Sequence, residues 1–441
     1  MAWIGKTGAA VAAVAAAACV LALRAPGVRV IELPAGTLEL NAPMVVEGPA
    51  RVEGSPRGSV IRAAADFHGR GLIEVHGHDV TLSGFDVEGN RNVLAVPAGL
   101  PPSNRTFAQF TAANGILAED CAGIRIARLR LRNIAGFAVL ATRSRDIGID
   151  HVEVTESGSR DGQGHNNTTG GILLEEGTAH FRVTGCRFRD VLGNGVWTHS
   201  LYTSPRNARG VFADNRFDSI GRDALQVGHA TEVRVERNRG TRIGRPMDYV
   251  DVEGRAIPVA VDTAGNVDRS FYEDNVFSEV NGKCFDLDGF HDGAVRGNVC
   301  VNRLGAEAYP MGGYGVVMNN TNPDMQSRHV AIEYNRIEGA KFGGVFAIGE
   351  NNVVRGNRLL NLNMAHCNEE AARFGCYYAP GQPDMLRVGI YLGSGAERPA
   401  PARGNLVERN EVTGWMMASR CIGAAPGIRP EWNTVRWNVC R

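Results

Sequence analysis

Lysine, helical heptads and an excess of either charge are what this 441-residue chain has little of. Lysine occurs at Lys6, Lys283 and Lys341 alone, and 47 Lys+Arg balance 47 Asp+Glu. A formal net charge of zero provides no global field to collect nucleic acid or an anionic membrane, so recognition must be local. No Gly-rich phosphate loop sits between a strand and a helix, which removes the sequence case for a nucleotide partner; paired CxxC and HExxH motifs are also absent. Aromatic residues make up 7%, and no apolar heptad is sustained. Long packed helices are therefore not expected.

What is abundant is glycine, at 55 residues, among short runs of Val, Ile and Leu, a composition that suits many short strands joined by tight turns. One uncharged run stands apart: Gly8–Leu23 follows Lys6 and precedes Arg24 and Pro26. It reads as an export signal over residues 1–24, too short for a comfortable membrane span, with a retained anchor as the alternative. Residues 25–441 then form one domain, expected in a periplasmic or extracellular setting as a monomer. Eight cysteines remain after that segment, an even number that permits disulfides in an exported chain. Proximity suggests Cys367–Cys376 and Cys421–Cys440, while Cys186 and Cys284 read as buried thiols.

A short unit recurs along the chain, among others as FRVTGCRFRDV, GVFADNRFDSI, SFYEDNVFSEV, VAIEYNRIEGA and NLVERNEVTGW. Aligned, the units place Phe85, Leu129, Val152, Cys186, Asn215, Asn238, Asn275, Asn298, Asn335, Asn357, Asn410 and Asn438 at one equivalent position. The period predicts an all-β solenoid of about twelve coils, with the asparagines stacked as a structural turn ladder. On these repeats the sequence resembles the right-handed parallel β-helix, or pectin-lyase-like, superfamily. The resemblance implies a single-stranded right-handed parallel β-helix solenoid, and leaves function to the side chains mounted on it.

The strands GVWTHS, ALQVGH, PVAVDT, CFDLDG and GVVMNN align so that alternate residues face outward. One outward row then runs Trp197, Gln226, Ala260, Asp286 and Val317; the next runs His199, Gly228, Asp262, Asp288 and Asn319. This alignment makes Asp262 and Asp288 neighbours, with Asp286 completing a triangle of acids. Like charges so close either raise a carboxyl pKa or call for a cation. His199, Lys283, His229 and His291 are expected nearby, Asp292 reads as a turn residue, and Asp223 divides between turn and site. Trp197 is expected to offer a flat face to a sugar. Together these residues resemble a groove for a polysaccharide or oligosaccharide.

Three functions remain open. In glycoside hydrolysis, with no cofactor, Asp262, Asp286 and Asp288 divide acid and base roles; the expected Asp262–Asp288 spacing suits a retaining pair and the Asp286–Asp288 spacing approaches an inverting one, with the lean towards inversion. The resemblance to polygalacturonase-like members is partial, since their consecutive Asp-Asp motif is absent and His199 precedes the acids. In β-elimination or epimerisation of a uronate polymer, the three aspartates hold Ca²⁺, and Lys283 or a histidine is the base. The third function is noncatalytic glycan binding, as in an adhesin.

Overall fold

The computed structural model describes residues 27–94, 100–160, 162–166, 168–246, 257–368, 374–379 and 381–441. The expected export segment, residues 1–24, lies outside the described residues. Among the described residues, no helix is long and apolar enough to cross a membrane. The chain winds as a right-handed parallel β-helix, each coil laying strands onto those of the coil before. One turn of the helix runs Phe271–Glu273, Val276–Val280 and Lys283–Asp288.

One long sheet has 14 strands. The twelve aligned positions from Phe85 to Asn438 each immediately precede one of them; the other two, Gly36–Leu40 and Ser59–Ala63, lie in the opening stretch. The turn that precedes these strands has a repeating conformation: Asp214, Arg237, Asp274, Tyr334, Arg409 and Trp437 all take positive φ just before a ladder asparagine. That left-handed conformation is unfavourable by about 1 kcal/mol for a residue with a Cβ, so something must hold each turn.

The asparagines do. Asn298 Oδ1 accepts from both the backbone N–H and the Nδ2 of Asn275, each at 2.9 Å. Its own Nδ2 donates to Tyr272 O at 2.8 Å and to Asn335 Oδ1 at 3.0 Å. The same bonding repeats from Asn215 to Asn438. Side chains that are buried and fully paired in this way stabilise the turns rather than await a ligand.

Inside the solenoid, Ile172, Val196, Leu225, Val261, Phe285, Val316 and Val345 stack as one buried row. Cys367–Cys376 and Cys421–Cys440 are disulfides. Cys186 is a buried thiol, as is Cys121. Cys284 is not: it bonds to Cys300 and ties the strand that carries Asp286 to the opposite wall. Alternation alone marked Cys284 as apolar strand material, which a disulfide half-cystine satisfies equally well.

The expected register needs a second correction. Gln226 pairs with Asp262, and Asp262 with Asp286, so the strand Val259–Asp268 sits two residues from the alignment inferred from sequence. Ala264, not Asp262, lies beside Gly228. The neighbour of Asp262 is therefore Asp286, and Asp288 lies diagonally across. A slip of two residues keeps every side chain on its face, so apolar alternation cannot detect it.

Candidate functional site

The outward row observed is Leu173, Trp197, Gln226, Asp262, Asp286, Val317 and Phe346. Its apolar ends leave three polar residues in the middle. Adjacent coils stand about 4.8 Å apart and alternate residues about 6.6 Å, which places Asp262 about 8 Å from Asp288 by the diagonal.

Asp262 is 8% exposed and receives a 2.8 Å hydrogen bond from Gln226 Nε2. Gln226 is itself held by Asn194, whose Nδ2 donates to Gln226 Oε1 at 2.8 Å. Asn194 Oδ1 accepts the Asp223 N–H, and Asp223 Oδ1 accepts the Val259 N–H, so this network also anchors the entry to the Asp262 strand. Asp223 thus serves the architecture. Burial, reinforced by the charges of Asp223 and Asp286, pushes the Asp262 carboxyl well above the usual carboxylate range.

Asp286 is held from two sides. Lys283 Nζ binds one oxygen in an ion pair, and Asn319 Nδ2 donates to the other at 2.6 Å. Burial acts against the Lys283 ammonium, but Asp286 and then Asp262 outweigh it and hold the Lys283 pKa above its ordinary value. Lys283 is therefore a poor proton acceptor here, against its expected role as a base. The acids also do not fit calcium in this arrangement: Ca²⁺ wants six to eight oxygens, whereas Asp286 is already committed to an ammonium and an amide. Among the described residues, the group of potential ligand atoms that converges is Glu175, Glu176 and His199.

Asp288 faces a cleft of about 220 Å³ lined by Trp197, His199, Tyr202, Gln226, His229 and Met325, among others. Its oxygens meet the Thr321 N–H at 2.9 Å and the Thr321 hydroxyl. Burial pushes its carboxyl up despite those hydrogen bonds. His229 is aimed by an irregularity: the register shifts between Gly228 and Ala230, and His229 has φ of 44°.

Two expected site residues behave differently. The Trp197 ring is 6% exposed, packed with Phe107, Phe137 and Leu173, so it has no free face for a sugar. Its indole Nε1 instead lies beside Gly228 in the cleft, 3.4 Å from where a Cβ there would stand. The flat exposed ring is Tyr202, 53% exposed and braced by Asn322 Nδ2 at 2.6 Å. His291 does not line the cleft; its nitrogens meet Asn266 and Asp292. Tyr202 and Asn322 lie on loops 120 residues apart, and no periodic signal in the sequence joins them.

His199 stands beside the fully buried Glu175, with Nδ1 4.0 Å from its carboxylate. Glu175 accepts the N–H groups of Phe107 at 3.0 Å and Ala108 at 2.8 Å, which fixes that segment over Trp197. Burial, then His229, pushes His199 down to about 4, and burial pushes Glu175 up to about 7. As pH falls from 6.5 to about 4, the unfolded chain gains a proton at His199 that the folded chain refuses, which lowers stability. Glu175 acts with opposite sign, because the folded chain keeps a proton that the unfolded chain has lost between 4.5 and about 7. In ¹⁵N spectra of the folded protein, His199, assigned by comparison with His199→Gln, should stay neutral at pH 5.5. A protonated ring there would refute the lowered His199 pKa.

No family model and no curated protein sequence matches the chain. Solved structures do. Gene product 12 of bacteriophage phi29, in a pre-mature form, superposes with a TM-score of 0.60 at 11% identity, covering 88% of this chain and 49% of that one. This chain thus spans about half the length of the phage protein. A hyperthermoactive exopolygalacturonase from Thermotoga maritima matches with a TM-score of 0.54 at 14% identity, over 76% and 84% of the two chains. A periplasmic alginate epimerase, AlgG, matches at 0.51 and 13%, over 95% and 79%. What is shared is the pectin-lyase-like right-handed β-helix fold.

Proposed function

We propose that this protein is an exported carbohydrate-active enzyme that hydrolyses a glycosidic bond, with Asp262 as general acid and Asp288 as general base. The carrying observation is the pairing of Asp262 with Asp286 on adjacent coils, with Asp288 across the diagonal at the cleft. Structural neighbours named as an exopolygalacturonase and an alginate epimerase support a saccharide substrate.

In this reaction the protonated Asp262 gives its proton to the bridging oxygen as the C–O bond breaks, so the leaving sugar departs as an alcohol. Asp288 takes a proton from the water that attacks the anomeric carbon from the opposite face. Asp286, fixed by Lys283 and Asn319, supplies the nearby negative charge that helps keep Asp262 protonated. Gln226 orients the acid.

The test is a polysaccharide panel incubated with the purified protein, with and without EDTA, following reducing ends and the absorbance of unsaturated uronate. Hydrolysis predicts reducing ends without that absorbance, unchanged by EDTA. Calcium-dependent absorbance would instead establish an eliminase. Glycan binding with no turnover on any substrate would leave a noncatalytic binder.

A further inference from the structure

The cleft beside Asp288 contains two buried polar groups whose hydrogen bonds go unmade. Trp197 Nε1 and His229 Nδ1 have no partner among the described residues, in side chains of residues only 6% and 8% exposed. The Nδ1 of His199, a third lining residue, is in the same condition. A buried polar atom left unpaired costs about 1–3 kcal/mol, and all three belong to residues that line this one small cleft, which suits a ligand that brings hydroxyl groups.

The charges narrow that ligand. Among the described residues, no lysine or arginine lines the cleft, and the ionisable acid there is Asp288. The basic groups around it are engaged elsewhere: Arg206 Nη1 donates to Asp268 at 3.0 Å, Lys283 is paired with Asp286, and Arg398 Nε donates to the Thr321 backbone carbonyl at the rim at 3.1 Å. Tyr202 adds an exposed ring and Met325 an apolar wall. A sugar carboxylate entering here would shed its water beside another carboxylate, with no lysine or arginine among the lining residues to receive it. A neutral sugar meets none of that cost, and its hydroxyls can accept from the indole and pair with the imidazoles.

We infer that this cleft is a subsite for an uncharged glycosyl residue, so that the substrate is a neutral glycan rather than a polyuronate. The inference rests on the glycan-active reading of the same site, but binding and turnover test the two separately.

Affinity electrophoresis of the full chain through gels containing neutral glucans, galactans or fructans, or polygalacturonate or alginate, reads it directly. At least one neutral glycan should retard the protein, and the polyuronates should not, with or without added calcium. Tyr202→Ala should weaken that retardation by about five- to tenfold, since an exposed stacking ring is lost. Retardation by a polyuronate, or by no glycan at all, would overturn the inference. Retardation by a neutral glycan without release of reducing ends would uphold it and reject hydrolysis; saturated reducing ends released from a polyuronate would do the reverse.

Discussion

Asp262→Asn should lower turnover by about 10³-fold while leaving the protein at least as resistant to heat as the parent. The turnover loss is that expected when a positioned general acid is removed. The stability result follows from what keeps Asp262 protonated. Buried against Asp223 and Asp286, it holds a proton in the folded state at pH values where the unfolded chain has released it. Its contribution to stability therefore declines as pH rises from the ordinary carboxylate range to the raised folded one. Asparagine keeps the acceptor for Gln226 Nε2 and has nothing to ionise. Asp286→Asn should behave differently, because it strands the Lys283 ammonium, only 16% exposed, without its partner. Removing one member of a buried pair costs about 3–5 kcal/mol. Turnover assays and thermal melts of the two variants at pH 5 and pH 8 should separate an acid from a structural ion pair. Equal melting losses in both would remove the distinction drawn between these aspartates.

The second large effect is expected far from the cleft. Asn298→Ala deletes the acceptor used by two donors of Asn275, and the donor used by Tyr272 O and Asn335 Oδ1. Several buried groups lose partners where no water reaches, since Asn275 and Asn335 are at most 1% exposed. At about 1–3 kcal/mol for each stranded group, a loss of about 3–5 kcal/mol is expected once the site relaxes. Asn438→Ala should cost less, because Asn438 is half-buried and water can replace the bonds it makes with Asn410 and the backbone. Denaturant titration of both variants measures the difference. Equal losses would mean that the ladder does not act as a buried chain.

The ladder also marks what could be read from sequence. Asparagine repeated before an alternating apolar run identifies a turn and its strand together, and the strand after each aligned position begins there. Asp286 and Asp288 were legible for the same reason, as outward residues alternating with the inward Phe285 and Leu287. Asp262 was legible as an outward acid but not as the partner of Asp286, because a two-residue slip preserves alternation. The cleft wall was not legible, since Tyr202, Asn322 and Met325 come from loops outside the repeat. Trp197 was read as a sugar platform because its strand parity faces outward, whereas the Phe107 segment, held by Glu175, covers that face.

The stereochemistry of the newly released reducing end tests the proposed chemistry most directly. The Cα atoms of Asp262 and Asp288 stand about 8 Å apart by strand geometry, a spacing from which two carboxyls can flank a water. Proton NMR of the first product formed from a cleaved glycan should show the anomer inverted relative to the bond broken. A retained anomer would contradict the Asp262–Asp288 pairing, and an unsaturated product would contradict hydrolysis itself.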